Sequence, residues 1–265
     1  MIPMAQPSFK HIYGPVYSWR MGMSLGIDPI STQAKVCSFN CTYCQLGRAA
    51  CVESSLERRV FVPVDEIIAE LDALQTDTPI DYLTFSGNGE PTLAANLGEL
   101  LLAVRFERPE QTAVITNGTL LGHQDVRRDL ANADLVLVKL DAADEAVYQA
   151  VNAPAAGLTF QSFMDGLKLF RQDFKGRLAL QSMFVAANRD QAAGIARWAR
   201  EIGADEIQLN TPLRPSEEKP LTPADMAEIK AHFSGLPVRS VYEEEKKAYH
   251  PLDRQATERR HGVII

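Results

Sequence analysis

The sequence predicts an α/β fold, an incomplete (β/α)6 barrel of TIM type, on two observations. Apolar runs of strand length alternate with amphipathic helical runs, and such alternation means parallel strands joined by crossover helices. Several of the strand-like runs also end in polar residues, at the end where a parallel barrel carries its chemistry. With 265 residues, 46% of them hydrophobic, the chain can bury one core of this size. No repeat, low-complexity stretch or linker divides it. The expectation is a single domain over 1–265, with a barrel core at about 22–212 and a C-terminal extension at about 213–265.

The elements follow in order. PVDEIIAELDAL repeats Ile67, Ile68, Leu71 and Leu74 at three or four, which puts one buried face on a helix at 64–75. That helix precedes the strand IDYLTFSG, so an earlier strand is needed, and MSLGIDPI is the candidate. AANLGELLLAVRFE then leads to TAVITNG, HQDVRRDLANA to DLVLVKLD, LTFQSFMDGLKLF to RLALQSMFV, and QAAGIARWAREI to DEIQLN, giving about six strands. In LTPADMAEI, Thr222 suits an N-cap, with Pro223 in the first helical position and Asp225 in the first turn.

Strand parity predicts a polar ring. Side chains alternate along a strand, so Lys139 and Asp141 share a face with Leu135 and Leu137 and point toward the barrel interior. Thr84 and Ser86 share a face before Gly87-Asn88-Gly89-Glu90, Asn117 ends the third strand, Gln181 and Met183 share a face, and so do Gln208 and Asn210. Each alone is equally a helix cap or a solvated strand end. Together they form the convergent set that a small-molecule pocket needs. A carboxylate such as Glu90, in a Gly-Glu-Pro turn, can accept charge-assisted bonds from an ammonium, or simply serve a helix N-terminus.

All four cysteines lie within KVCSFNCTYCQLGRAAC. No run is long and apolar enough to span a bilayer and the start lacks the order of a signal peptide, so a cytoplasmic location with reduced thiols is expected. Clustered thiols there read as metal ligands or redox groups rather than disulfides. Cys37, Cys41 and Cys44 make C-x3-C-x2-C, with the aromatic Tyr43 before the last. Three thiolates on a four-iron cluster leave one iron open to a ligand. The alternatives are a zinc site or a closed electron-transfer cluster, each completed by Cys51. Cys51 otherwise has no assigned role. The five histidines show no ligand spacing.

The cysteine motif, together with Asn88-Gly89-Glu90-Pro91 in YLTFSGNGEPTL, resembles the radical S-adenosylmethionine superfamily. GPVYSWRMGMSLGIDP, CSFNCTYCQLG, KLDAADEAVYQAVN and QLNTPLRP are similar to a branch of compact iron–sulfur oxidoreductases related to the tRNA wyosine-base synthases. The resemblance implies a radical SAM core holding a 4Fe-4S cluster on Cys37, Cys41 and Cys44, from a loop at about 31–51. It implies S-adenosyl-L-methionine on the open iron, its reductive cleavage, and removal of a hydrogen atom from a substrate by the 5′-deoxyadenosyl radical. Tyr43 would lie against the adenine, and Gly89, Glu90 and Pro91 would hold the amino group. Asn117, Lys139, Asp141, Gln181 and Asn210 are candidates for holding the cofactor's ribose and carboxylate or the substrate. A one-electron reductant of flavodoxin or ferredoxin type is implied as partner.

The substrate is narrowed mainly by departures from the family. Wyosine synthases carry a second cluster on cysteines upstream of the motif, and none precedes Cys37. The net charge of −7 does not favour tRNA as partner, although Arg254, Arg259 and Arg260 stand close together in what reads as a solvated charged tail. A small-molecule, peptide or nucleoside substrate is expected, with a tRNA-modifying or glycyl-radical-activating enzyme, or a non-enzymatic zinc or electron-carrier module, as alternatives. Arg214, just past the last strand, is either a clamp for an anionic substrate group or a surface arginine that needs no function. RPSEEKPLTP and the chain after Val241 are candidate covers for the open side of the barrel.

Overall fold

The computed structural model of the protein describes residues 9–48, 51–53, 56–74, 78–245 and 247–261, without the side chains of 51–53 and 261. Its strands are β1 (Ile12–Ser18), β2 (Gly22–Ile27), β3 (Lys35–Val36), β4 (Cys51–Glu53), β5 (Tyr82–Phe85), β6 (Gln111–Thr116), β7 (Leu135–Lys139), β8 (Arg177–Met183), β9 (Glu206–Asn210) and β10 (Val238–Ser240). Eight of them form one curled sheet in the order β1-β2-β5-β6-β7-β8-β9-β10. From β2 to β10 every pairing is parallel.

The six strands expected from the sequence are β2 and β5 to β9, in sequence order. Helices occupy the crossovers: α1 (Val64–Asp72) before β5, α2 (Leu97–Glu107) before β6, α3 (Gln124–Leu130) before β7, and α6 (Ala192–Ile202) before β9. Between β7 and β8 a short turn α4 (Glu145–Val147) widens into a π-turn at Tyr148–Asn152 before α5 (Phe160–Asp173). Their boundaries follow local chemistry. Asp65 and Glu66 sit in the first turn of α1, where negative charge opposes the helix dipole, and Ile67 and Leu71 are buried. α5 starts in a capping box between Thr159 and Ser162, and α6 ends at Gly203 in the left-handed region. α7 (Pro223–Ala231) starts as expected, with Thr222 and Asp225 in a capping box and Pro223 at the first position.

Two strands of the sheet fall outside the expected six. β1 runs antiparallel to β2, and Gly14-Pro15 breaks its pattern where the register shifts between Tyr13 and Val16. Proline is tolerated there because β1 is an edge strand with one side free of the ladder. β10 has three residues, too few to show a period. A further correction concerns the tail: α8 (Arg254–His261) packs on β1, and Arg260 is buried at 2% exposure rather than solvated.

The parity reading holds through β7. Val136, Val138 and Leu140 face outward into the large core under the helices, with Leu83, Phe85, Val114, Leu180 and Leu209. Leu135 and Leu137 face inward and form a small apolar floor with Met21, Ala113 and Ala179. Burying each such leucine stabilises the fold by about 1.5–3 kcal/mol. The floor closes the lower barrel, so polar residues further along the strands line the open end.

Candidate active site

The cysteine segment is docked across the C-terminal strand ends by backbone bonds. Val36 N donates to Asn88 O at 3.1 Å and Glu90 N to Val36 O at 3.0 Å, so the segment pairs with the Gly-rich turn after β5. Glycine is required at 89, because a Cβ there would meet Val36 O at 1.7 Å. On the other side Asn40 N donates to Asn152 O at 3.0 Å, Thr42 N to Val151 O at 3.0 Å, and Ala155 N to Ser38 O at 2.8 Å. The π-turn after α4 thus forms the far wall.

These contacts bring Cys37, Cys41 and Cys44 to one cavity of about 160 Å³, also lined by Tyr43, Gly89, Glu90, Asn117, Lys35 and Lys139. Burial, helped by the charge of Glu90, pushes the Cys37 thiol far up, and burial with the charge of Asp141 pushes Cys41 up to about 11. Neither gives up its proton readily at neutral pH unless a metal displaces it. Amide groups approach two of the sulfurs: Asn117 Nδ2 lies 3.6 Å from Cys37 Sγ, and Asn152 Nδ2 lies 3.7 Å from Cys41 Sγ.

Glu90 is 2% exposed and well supplied with donors. Its Oε1 accepts from Thr92 N at 3.1 Å, Thr92 Oγ1 at 2.7 Å and Thr116 Oγ1 at 2.5 Å, and its Oε2 from Asn117 N at 2.7 Å. Burial raises its pKa and these bonds oppose the rise. The carboxylate therefore caps the turn that starts at Pro91, as the helix-start reading anticipates, and ties the end of β6. Four donors leave Oε2 with room for one more, from the cavity.

Asn117 is a brace. Its Nδ2 donates to Ser38 Oγ at 2.8 Å, and its Oδ1 accepts from Thr119 N at 3.0 Å and Thr119 Oγ1 at 2.9 Å. Lys139 reaches the cavity with its Nζ 4.9 Å from the centre of the Tyr43 ring, 3.1 Å from Gln181 Oε1 and 3.6 Å from Asp141 Oδ1. Asp141 is buried behind it and accepts from the Tyr43 hydroxyl, from Asn152 Nδ2 at 2.8 Å and from Met183 N at 2.7 Å. Asn210 stands one strand further, with its Oδ1 accepting from Thr211 N at 2.9 Å. The expected residues thus split: the cysteines, Tyr43, Gly89, Glu90, Asn117 and Lys139 line one cavity, while Pro91, Asp141, Gln181 and Asn210 stand around it. Arg214 Nη1 donates to Gln45 Oε1 at 2.8 Å, beside Cys44. The side chain of Cys51 lies outside the described residues.

Sequence reasoning missed Asn152, Ser38, Thr116 and Lys35. Lys35 and Ser38 flank Cys37, and Thr116 precedes Asn117, but only the folded chain shows what each touches. Asp28 was also missed. It directly follows β2, accepts from Ile30 N at 3.1 Å, Ser31 N at 2.9 Å and Asn88 N at 3.2 Å, and pairs with Arg260.

The geometry agrees with comparison to known proteins. A model of the radical SAM superfamily matches residues 34–199, a stretch that spans every cavity-lining residue. The chain belongs to that superfamily. Radical SAM enzymes use a 4Fe-4S cluster and S-adenosylmethionine, and this chain is an enzyme of that kind. A UPF0026 protein of Synechocystis sp. is 43% identical over 216 residues, 81% of this chain and 78% of its own length. SuiB of Streptococcus suis bound to S-adenosylmethionine superimposes with a TM-score of 0.58 at 14% identity, over 79% of this chain and 48% of its own. SuiB bound to its precursor peptide SuiA gives 0.61 at 16%, over 84% and 50%. An archaeal TYW1 gives 0.53 at 17%, over 81% and 71%. At such identities the structures show a shared fold alone, and the chain spans about half the length of SuiB. Among the described residues no helix is long and apolar enough to cross a membrane.

Proposed function

We propose that Cys37, Cys41 and Cys44 hold a single 4Fe-4S cluster with one iron open to S-adenosylmethionine, and that the enzyme removes a hydrogen atom from a small-molecule, peptide or nucleoside substrate. The observation that carries this reading is the convergence of three partly buried thiols, Glu90 and Lys139 on one cavity at the C-terminal strand ends. The donor set fits the group. Three sulfurs line one space, and thiolates are the ligands that hold iron–sulfur clusters.

When bound, these cofactors supply one-electron reductive chemistry that ends in loss of a hydrogen atom from the substrate. The chain's own residues position and shield. Glu90 Oε2 offers its remaining acceptor site to the ammonium of S-adenosylmethionine, and Lys139 offers a cation to its carboxylate. The Tyr43 ring, fixed by the bond to Asp141, gives an apolar face for the adenine. Asn117 and Asn152 point N–H groups at two of the sulfurs, which favours the thiolate form and offsets charge built up on reduction. The apolar floor of Met21, Leu135 and Leu137 keeps water out from below.

The test is anaerobic reconstitution with iron and sulfide, reduction with S-adenosylmethionine present, and an assay for 5′-deoxyadenosine, with Cys41→Ala as control. Wild-type protein is expected to yield the product and the variant none. A colourless wild-type protein that takes up zinc instead overturns the reading.

A further inference from the structure

The cavity holds a second lysine that the function proposed above leaves without a role. Lys35 stands two residues before Cys37, on the short strand β3. Side chains alternate along a strand, so Val36 enters the large apolar core while Lys35 takes the opposite face and lines the cavity with Cys37, Cys41 and Cys44. Lys35 is 4% exposed, whereas a lysine ordinarily keeps its charged end in water. Its Nζ donates to Asn40 Oδ1 at 3.2 Å. Asn40 is itself pinned, because its backbone N donates to Asn152 O and to Ala153 O, both at 3.0 Å. The ammonium is thus fastened to the loop between the first two thiols.

A cation withdrawn from water is costly unless negative charge lies near it. The carboxylates around the cavity have duties elsewhere: Glu90 accepts from Thr92, Thr116 and Asn117, and Asp141 lies 3.6 Å from Lys139 Nζ and accepts from Tyr43, Asn152 and Met183. The thiolates of a loaded site bring further negative charge into the same space. The field of Lys35 reaches them: burial and then the charge of Glu90 push the Cys37 thiol up, and the charge of Lys35 opposes both. Lys139 differs in that Asp141 stands behind it and its Nζ lies over the Tyr43 ring, on the side given above to S-adenosylmethionine.

The geometry points to Lys35 as the fixed cation that raises the reduction potential of the cluster, an assignment that rests on the function proposed above. One-electron reduction adds a unit of negative charge to a group already held by three thiolates. A cation held in the same low-dielectric space stabilises the reduced form more than the oxidised one, because the attraction grows with the charge gained. The electron comes from a low-potential one-electron reductant, and Lys35 keeps its proton throughout. Asn117 and Asn152 act in the same direction with neutral N–H dipoles; Lys35 adds a full charge.

The test is a redox titration followed by electron paramagnetic resonance on anaerobically reconstituted wild type, Lys35→Met, Lys35→Gln and Lys35→Arg, with S-adenosylmethionine absent so that only the cluster is read. Iron and sulfide are counted on every sample. Lys35→Met is expected to disfavour reduction at least tenfold, a fall of about 59 mV for one electron, and Lys35→Arg less than about threefold. Lys35→Gln keeps a polar group for Asn40 and removes only the charge, so it decides if Lys35→Met fails to load. A wild-type potential in a loaded neutral variant, or an equal fall in Lys35→Arg, overturns the proposal. Affinity for S-adenosylmethionine is measured on the same proteins: a weakened affinity with an unchanged potential makes Lys35 a cofactor-holding residue and also overturns it. Failure of both neutral variants to load makes Lys35 a residue of cluster assembly and overturns it as stated. A wild type that loads no cluster refutes the function proposed above, whereas a loaded wild type with unshifted variants refutes this inference alone.

Discussion

Replacing Arg260 with Met tests how the C-terminal helix is held to the site. The guanidinium and the Asp28 carboxylate have side chains at 0% exposure, with Nε 2.7 Å from Oδ2. Removing one partner of a buried pair costs about 3–5 kcal/mol, because the other charge is left uncompensated. The two sides of this pair are unequal. Without Arg260, Asp28 keeps three backbone donors, at Ile30, Ser31 and Asn88, so R260M belongs at the lower end, about 3 kcal/mol. Without the carboxylate, the guanidinium keeps neutral partners, the Lys10 and Ala256 carbonyls, the Ser31 hydroxyl and the Tyr13 ring, so D28N belongs at the upper end, about 5 kcal/mol. Contacting residues are not additive, and the double variant should cost less than the two singles together by about 2–3 kcal/mol. The assay is urea unfolding followed by far-ultraviolet circular dichroism on anaerobic protein. An R260M cost below about 1 kcal/mol, or strict additivity, refutes the claim that this pair is a buried, mutually dependent unit.

Three further outcomes are expected. In Gly89→Ala the new methyl must displace Val36 O, 1.7 Å from its place, so the cysteine segment undocks and iron and sulfide loading is lost while far-ultraviolet circular dichroism is kept; normal loading would contradict the packing argument. Asn152→Ala removes the N–H near Cys41 Sγ, and loss of such a supporting contact should weaken iron retention by about 10–100-fold and lower the cluster's midpoint potential, read by chelator competition and by redox titration followed by electron paramagnetic resonance. With the Cys41 pKa raised to about 11, its thiolate is scarce at neutral pH and grows as pH rises. Alkylation of that residue by iodoacetamide in metal-free protein should therefore climb about tenfold per pH unit between roughly 8 and 10. A plateau below about pH 9, as for an ordinary thiol near 8.5, would show that burial does not control it.

Much of the site was legible because its signals are local. C-x3-C-x2-C with Tyr43, the Gly89-Glu90-Pro91 turn and the parity of Lys139 against Leu135 and Leu137 are all relations between residues a few positions apart. The six parallel strands were legible for the same reason, since each shows its own period and is followed by a helix with its own cap. β1 was missed because its proline is permitted only by its place at the sheet edge, which is a property of the assembled sheet.

Long-range pairings were settled only by folding. The sequence by itself determined which residue types meet at the open end of the barrel: three thiols, a carboxylate in a glycine turn, and polar strand ends on an apolar barrel. The tertiary structure decided what each of them does. It committed Asn117 to bracing Ser38, tied Asp141 to Tyr43 and Asn152, buried Arg260 against Asp28 more than two hundred residues away, and buried Gln181 and Gln208 in register on β8 and β9. A side chain's type is written at its own position, but its partner, its burial and its remaining valence depend on residues brought near it by the whole chain.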